Sequence, residues 1–195
     1  MRFTILSHAG LAVETDETAL VVDPWIVGSC YWRSWWNLPE PPRQLVESLR
    51  PTHIYLTHLH WDHFHGPSLR RFSPDTRFLV PRFNNDRMRR DLADLGFHDV
   101  TELDHGEVVD LGGLTLQSYQ FLNDSAVVVT NGVQTILNAN DCKMFGLPLR
   151  QVLDDHPAID FVLRSHSNAS AYPYCIEDYE TVCPELRPRQ AYMDE

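Results

Sequence analysis

The chain has 195 residues, 43% of them hydrophobic and 22% charged, and its formal net charge is -11. This length and composition are typical of one globular domain and exclude a disordered chain, while the negative charge would repel a polyanion and disfavours a nucleic-acid partner. No stretch reaches the roughly 18 apolar residues of a membrane span, and the N-terminus lacks a cleavable apolar segment. The sequence therefore predicts a cytoplasmic protein with a single domain over 1–195, of which 178–195 is a polar tail.

The first part of the chain predicts antiparallel strands followed by a long loop, a helix and a buried strand. Short strands are expected in RFTIL, LAVET and ALVVD. The segment 24–42 holds four tryptophans and four prolines without a regular period, which predicts an ordered loop lying over the protein. A helix is predicted from Pro42 to Arg50, and the apolar segment HIYLTH predicts a buried strand.

The remaining elements alternate between helices and strands. After a short helix from Pro67, the segments RFLV and HDVTEL predict strands, and NNDRMRRDLADLG predicts the helix between them. Two hairpins are expected, one turning at Gly112-Gly113 and one at Asn131-Gly132. A helix near LPLRQVLDD and a buried strand in AIDFVLRS complete the order. Antiparallel pairs separated by helices favour helix layers outside a sheet sandwich.

Four histidines and an aspartate lie within ten residues, THLHWDHFHG, at the end of the strand HIYLTH. His58 and His60 are two residues apart, so an extended backbone sends both side chains to the same side. Asp62 and His63 follow where the chain turns and offer a second pair of ligands. The spacing HxHxDH therefore predicts a site for two metal ions, whereas His65 lies outside the pattern and is expected to be a loop histidine.

The segment HLHWDH resembles the HxHxDH signature of the metallo-β-lactamase fold superfamily. LVVDPW is similar to the early Asp-Pro turn of that superfamily, and ILNANDC is similar to the later strand end whose aspartate bridges both metals. The resemblance implies a four-layer αββα sandwich of the α/β class, with Asp23 beneath the metal histidines and Asp141 as the bridging ligand. The residues alone leave a second interpretation for Asp23, a turn-forming aspartate before proline.

A narrower resemblance covers nearly the whole chain. DPWIVGSCYWRSWWNLPEPP, HIYLTHLHWDHFHGPSLRR, ILNANDCKMFGLP and ASAYPYC together are similar to the metallo-β-lactamase-type domain of the CMP-N-acetylneuraminate hydroxylases and their bacterial relatives. Those hydroxylases are iron-dependent oxygenases that also carry a Rieske cluster, for which this sequence has no Cys-His pairs. An oxygenase of this type would need electrons from a redox partner.

The sequence departs from the superfamily pattern at two ligand positions. The histidine expected before the bridging aspartate is replaced by SYQFLNDS, which puts Asn123 or Asp124 in its neighbourhood. A last histidine on a closing C-terminal strand has no counterpart, so we expect this strand to be lacking or the site to be completed by a second polypeptide. His166, at the end of a predicted buried strand, is the better substitute, whereas His105 is expected at the surface.

The remaining ligands are sufficient for metal chemistry, because a catalytic ion needs about three protein ligands and an open position. The predicted metal ligands are His58, His60, Asp62, His63 and Asp141. Two zinc or manganese ions there predict hydrolysis of a small-molecule ester, lactone, amide or phosphoester by a metal-bound hydroxide, with Asp62 and Asp141 as catalytic residues. If the site holds iron instead, the same donors predict an oxygenase. If the missing histidines have removed metal binding, the chain is expected to be a non-catalytic binding domain.

Other residues are expected around the ligands, either orienting them or lining the pocket. These are His8, Asp23, Trp25, Trp35, Trp36, Asn123 and His166. The tryptophans could wall a dry substrate pocket or pack as ordinary core and loop residues.

Overall fold

The computed structural model describes residues 1–165. Their elements, in chain order, are β1 (Arg2–Ile5), β2 (Leu11–Glu14), β3 (Ala19–Val22), β4 (Ser29–Cys30), β5 (Trp35–Trp36), α1 (Arg43–Ser48), β6 (His53–Tyr55), α2 (Gly66–Leu69), β7 (Arg77–Pro81), α3 (Arg87–Asp94), β8 (Val100–Leu103), β9 (Val108–Asp110), β10 (Thr115–Phe121), β11 (Asp124–Thr130), β12 (Thr135–Asn140), α4 (Gly146–Asp155) and β13 (Phe161–Arg164).

The first sheet has six strands in the order β1-β2-β3-β6-β7-β8. Its first three strands pair antiparallel, which confirms the predicted opening, and β3, β6, β7 and β8 pair in parallel. Parallel strands need crossovers, and the helices α1 and α3 lie in two of them. The strands β3 and β6 therefore end at the same edge of the sheet, which is where the metal-type residues follow.

The second sheet has five strands in the order β13-β12-β11-β10-β9. The predicted hairpins are confirmed, because β9 pairs antiparallel with β10 and β11 pairs antiparallel with β12. Gly112, Gly113 and Gly132 all have positive φ angles at the turns. Glycine adopts this conformation without the steric cost that a Cβ atom imposes.

Apolar side chains from both sheets fill the space between them. Strand alternation places one face of each strand in this core. Its fully buried members include Leu11, Val13, Leu20, Val22, Leu103, Leu116, Val127, Val129 and Ile136.

Helices cover the outer faces of both sheets. Met88 and Leu92 of α3 are buried against the first sheet, and the partly buried Leu45 of α1 packs on the same cluster. Val152 of α4 is fully buried against the second sheet. These layers confirm the predicted four-layer αββα sandwich.

A polar contact ties the two sheets together inside this apolar core. The hydroxyl of Tyr55, on β6, lies 2.7 Å from Ser118 Oγ and 2.9 Å from Ser125 Oγ, on β10 and β11. Ser125 Oγ also donates to the backbone carbonyl of Thr57 at 2.9 Å. All four residues are buried, and the apolar surroundings raise the pKa of Tyr55 above its ordinary value. Each of these hydroxyls has a hydrogen-bond partner, so the group, called here the hydroxyl seam, is buried without the free-energy cost of an unpaired polar atom.

Three details differ from the sequence expectations. The helix predicted from Pro42 to Arg50 covers only Arg43–Ser48, and the loop over 24–42 contains the two-stranded ribbon β4-β5. The strand predicted to be buried in AIDFVLRS is β13, and Phe161 and Val162 are exposed there. Within the described residues β13 pairs only with β12, and a short apolar segment does not distinguish such an edge strand from a central one.

Among residues 1–165, every helix is too short or too polar to cross a bilayer. His166, the segment ASAYPYC, the tail over 178–195 and the expected loss of a closing strand lie outside the described residues. The domain boundary at 195 stays a prediction.

Candidate metal centre

The metal-type residues meet where strands of both sheets end. Asp23 directly follows β3, and the histidine cluster begins three residues after Tyr55, the last residue of β6. Asp141 directly follows β12 of the second sheet, and His8 lies in the turn between β1 and β2. The seam between the sheets therefore carries donors from four separate segments.

The first histidine pair has its donor atoms face to face. His58 Nε2 lies 2.6 Å from His60 Nδ1, and the two rings are nearly perpendicular. His58 is buried and its other nitrogen, Nδ1, lies 2.9 Å from Thr57 Oγ1 and 3.1 Å from Asp124 Oδ1. Polar partners on Nδ1 fix the ring so that Nε2 points toward the site.

Asp23 is a completely buried carboxylate beneath the histidines. Its Oδ1 accepts from the Thr57 backbone N–H at 2.9 Å, and its Oδ2 accepts from Thr57 Oγ1 at 2.7 Å. The same Oδ2 lies 2.8 Å from His63 Nδ1 and accepts from Asn140 Nδ2 at 3.1 Å. Burial acts to raise the pKa of Asp23, but His63 and the other hydrogen-bond donors outweigh it and hold the pKa below its ordinary value. Asp23 therefore stays charged and orients the His63 ring.

Asp62 has a hydrogen-bond partner on each carboxylate oxygen. Tyr31 donates its hydroxyl to Oδ1 at 2.7 Å, and His8 Nε2 lies 2.9 Å from Oδ2. Burial opposes the charge on Asp62, but these two contacts and the nearby His63 hold its pKa well below the usual range. The Tyr31 phenol is only partly buried, but desolvation and its hydrogen bond to this carboxylate raise its pKa.

His63 lies at the centre of the site and is completely buried. Its Nε2 lies 3.5 Å from Asp62 Oδ2 and 3.4 Å from Asp141 Oδ2, yet it forms no hydrogen bond within the described residues. Burial favours the neutral ring, but Asp23 and the carboxylates around Nε2 outweigh it and raise the pKa of His63 to about 10. A buried nitrogen aimed between two carboxylates without a partner is the environment expected of a metal ligand.

Two groups of three side chains bring one donor atom each within 4.8 Å of one another: His8, Asp62 and His63, and His58, His63 and Asp141. Imidazole and carboxylate donors without a thiolate fit zinc, manganese or iron. The described residues therefore fit a divalent metal ion, and the unpartnered His63 Nε2 is the atom that such an ion would satisfy.

The structure also locates the predicted pocket residues. Trp25 is buried and donates its indole N–H to the Gly28 carbonyl, so it packs in the core. Trp35 and Trp36 are exposed on the ribbon β4-β5, and of these two residues only Trp35 makes an aromatic contact with His8. Asn123 is exposed next to Asp124, the residue whose carboxylate reaches His58.

The other histidines considered from the sequence lie away from the donor groups. His65 is buried at the start of α2, where Nδ1 lies 2.8 Å from Ser68 Oγ, so it packs as a loop histidine. His105 is exposed and contacts Gln151 at 3.1 Å.

Three residues of the site were not predicted from the sequence. Thr57 and Asn140 hold Asp23, and Tyr31 holds Asp62. Thr57 and Asn140 directly precede predicted ligands, so inspection of the flanking polar residues could have found them. Tyr31 comes from the tryptophan-rich loop, and its contact with Asp62 spans 31 positions of the chain.

No protein-family model matches the chain. The chain is 30% identical over 210 residues to a protein of Mycolicibacterium smegmatis described as a Rieske 2Fe-2S iron–sulfur protein, and the match covers all of this chain and 40% of that protein. It is 28% identical over 159 residues to the cytidine monophosphate-N-acetylneuraminic acid hydroxylase of Mus musculus, over 73% of this chain and 26% of the hydroxylase. The chain thus spans less than half the length of these relatives.

Three enzymes are among the solved structures with a similar fold. CmlA, a diiron β-hydroxylase from Streptomyces venezuelae, matches with a TM-score of 0.61 and 23% identity over 81% of this chain and 33% of CmlA. An isothiocyanate hydrolase from Delia radicum gut bacteria matches with a TM-score of 0.62 and 18% identity, over 79% of this chain and 67% of the hydrolase. A metallo-β-lactamase of Cronobacter sakazakii matches with a TM-score of 0.51 and 16% identity, over 82% and 74% of the two chains.

Proposed function

The chain has the metallo-β-lactamase fold, and we propose that it is a metal-dependent enzyme that hydrolyses a small-molecule ester, lactone, amide or phosphoester. The observation that carries this proposal is the buried His63 Nε2, which lies between the carboxylates of Asp62 and Asp141 and has no hydrogen-bond partner within residues 1–165. A nitrogen held in that position is costly in a protein without a metal ion. The location of the donors at one end of the sandwich supports the same conclusion.

Two ions, zinc or manganese, would share the donors of the site. His58 and His60 would hold one ion, Asp62 and His63 the other, and Asp141 would lie between them. Bound divalent ions would lower the pKa of a coordinated water and polarise the reacting group of the substrate. Fixed second partners, Asp23 for His63 and Thr57 for His58, keep the donor nitrogens directed into the site.

The carboxylates of Asp62 and Asp141 differ in exposure and in their hydrogen-bond partners. Both oxygens of Asp62 are engaged by Tyr31 and His8, so this residue is held as a ligand. The side chain of Asp141 is 40% exposed, and its contact with His63 lowers its pKa so that it stays anionic. Asp141 is thus the carboxylate that can accept a hydrogen bond from the attacking water and orient it toward the substrate.

A cavity of about 570 Å³ borders the histidine motif through Leu59, Trp61 and Phe64, although none of the predicted metal ligands lines it, and its size suits a small-molecule substrate. Tyr31, Trp32 and Trp61 line it, and the rings of Tyr31 and Trp61 are stacked with centroids 5.7 Å apart. The Tyr31 hydroxyl contacts Asp62, so one side chain touches both the cavity and the metal donors. The lining also includes the charged residues Arg33, Arg87, Asp91 and Asp94, so the cavity combines aromatic walls with polar groups that would orient a bound substrate.

The test is elemental analysis of the protein purified without added metal, followed by a screen of ester, lactone and phosphoester substrates. A His58→Ala/His60→Ala double variant is the control for adventitious metal. We expect nearly two zinc or manganese ions per chain and hydrolysis that depends on them. Two such ions without hydrolysis of any substrate class would contradict the proposed reaction, and no metal above the control would indicate a non-catalytic binding domain.

Asp141→Asn tests the role assigned to the exposed carboxylate. Asparagine keeps the size of the side chain but loses the charge that orients water, so we expect kcat to fall by about 100-fold or more while the unfolding midpoint changes little. The control is Asp110→Asn, an exposed carboxylate in the β9-β10 hairpin. Unchanged kcat in Asp141→Asn would remove Asp141 from the mechanism.

A second candidate function is iron-dependent oxygenation with an external electron donor. The observation that favours it is the sequence similarity to a hydroxylase and to a Rieske-type protein, together with a donor set of imidazole and carboxylate that also suits iron. In this case the purified protein would hold iron, and oxygen would be consumed only when a reductase is added. Iron content without such consumption would argue against this candidate.

A further inference from the structure

We propose that His8 is a metal ligand, the third protein donor to the ion held by Asp62 and His63; this inference rests on the metal centre proposed above. His8 lies in the turn SHAG between β1 and β2, 54 positions before Asp62 in the chain. The sequence alone predicts only that His8 orients the ligands or lines the pocket.

The geometry of three donor atoms carries the inference. His8 Nε2 lies 2.9 Å from Asp62 Oδ2, and the same oxygen lies 3.5 Å from His63 Nε2. The three residues bring one donor atom each within 4.8 Å of one another, which is the spacing of ligands around one ion. His63 Nε2 has no hydrogen-bond partner within residues 1–165, so an ion between these atoms would satisfy it.

His8 supplies a third donor to an ion that otherwise has two from Asp62 and His63. His58 Nε2 and His60 Nδ1 lie 2.6 Å apart, and together with Asp141 these two residues would supply three donors to one ion. Asp62 and His63 alone are two donors, one fewer than a catalytic ion usually takes from the protein. With His8, each of the two ions would have three protein donors. The ion held by Asp62 and His63 would then not depend on Asp141 as its third donor.

The turn that carries His8 holds its ring in place. Ser7 Oγ donates to the Trp25 carbonyl at 2.6 Å, and the Leu6 N–H donates to the Gly10 carbonyl at 2.8 Å. The His8 ring makes edge contacts with Trp25 and Trp35, with centroids 5.6 and 6.1 Å apart. A ligand whose ring is oriented before the metal binds loses little conformational freedom on coordination.

A merely orienting hydrogen bond from His8 would be partly redundant. Tyr31 already anchors the other oxygen of Asp62 at 2.7 Å. The two roles can be separated by substitution, because glutamine retains an N–H donor at similar reach but lacks an imidazole nitrogen for zinc or cobalt. His8→Gln should therefore behave like His8→Ala if His8 is a ligand, and like the unchanged protein if it only donates a hydrogen bond.

The experiment titrates the full chain, stripped of metal, with Co²⁺ or Zn²⁺ alone and follows binding by calorimetry. For cobalt, shifted imidazole N–H resonances in the NMR spectrum count the coordinated histidines. His98→Ala removes an exposed histidine remote from the site and is the matched control. We expect two ions in the unchanged chain and in His98→Ala. In both His8 variants we expect the first ion to be retained, the second to bind about 10–100-fold more weakly, and one shifted resonance to be lost.

Each other outcome overturns the inference. Two ions with unchanged affinity in His8→Ala, or weaker binding in His8→Ala but not in His8→Gln, would show that His8 is not a ligand, while the metal centre itself would stand. If the unchanged chain bound only one ion, the position assigned to the ion held by His8, Asp62 and His63 would be excluded. No bound metal in the unchanged chain would instead contradict the proposed function.

Discussion

Asp23 shows how one buried carboxylate can determine the arrangement of a metal site. It receives hydrogen bonds from Thr57 and Asn140 and contacts His63, although it does not itself face the space between the donor nitrogens. Its φ angle of 45° lies in the left-handed region, which aspartate and asparagine tolerate better than most residues. The residue before the proline is therefore both the turn residue and the support of the ligands, and the two interpretations of this position are compatible.

Asp23→Asn tests this support, because asparagine tolerates the same left-handed backbone conformation as aspartate but carries no charge. Loss of the negative charge removes the partner that fixes His63 Nδ1, so the affinity for the second ion should fall by about 10–100-fold. Calorimetric titration with Zn²⁺ measures the change. Asn140→Ala, which removes only one neutral donor from Asp23, should have a smaller effect, and an equal effect in both variants would count against this role of Asp23.

His60→Ala should remove bound metal while the domain remains folded. The side chain is exposed, and the strand before it is held by buried apolar residues such as Ile54 and Leu56. The free energy of unfolding without metal should change by no more than about 0.5 kcal/mol, as for other surface substitutions. Metal analysis and urea unfolding check the two statements, and full metal occupancy in the variant would refute the assigned ligand.

The spacing of His58, His60, Asp62 and His63 was sufficient to predict that they come together, because they are local in the chain. The contacts that hold them are not local. Tyr31 reaches Asp62 from the tryptophan-rich loop, and Asp124 reaches His58 from the opposite sheet. A sequence pattern has a period and a spacing but no information about which loop lies over which strand.

Turns and hairpins are the elements that the sequence predicted best. The Gly112-Gly113 and Asn131-Gly132 pairs predicted both hairpins of the second sheet, because few residues other than glycine adopt positive φ. The edge position of β13 and the ribbon β4-β5 were missed. The ribbon has no periodic pattern, because β4 and β5 contain only two residues each. The strand β13 is a short apolar segment, and such a segment does not distinguish an edge strand from a central one.

Gly113→Ala should destabilise the domain more than Gly132→Ala. Both glycines have positive φ, 74° and 80°, so alanine is strained at either position by about 1 kcal/mol. A Cβ atom at Gly113 would also lie 3.0 Å from Thr15 Oγ1, whereas nothing lies within 4 Å of one at Gly132. Urea unfolding of the two variants separates the steric contact from the backbone strain, and equal losses would show that Thr15 moves away freely.

At the scale of the whole molecule, the site joins segments from both sheets. Asp23 and the histidine cluster follow strands of the first sheet, and Asp124 and Asp141 belong to strand ends of the second. An ion bound by both sets is absent from the unfolded chain, so its binding free energy adds to the free energy of unfolding.

Removal of metal should therefore lower the thermal stability. At a free ion concentration about 100-fold above Kd, binding adds about 2.7 kcal/mol, which corresponds to a Tm higher by about 5–10 °C for a chain of this length. Scanning calorimetry with and without a chelator measures the difference. The His58→Ala/His60→Ala variant is the control, and a Tm shift of the same size in that variant would place the stabilising ion elsewhere.

The hydroxyl seam of Tyr55, Ser118 and Ser125 has a consequence for the motions of the molecule. It resists sliding between the sheets one residue away from His58 and Asp124, through the bond from Ser125 to the Thr57 carbonyl. Backbone amides of β6 and β11 should then open to solvent deuterium in one cooperative event rather than strand by strand. An ion bound across the two sheets would slow this exchange in both sheets together. Local opening of the metal site and global unfolding of the sandwich would then be the same event.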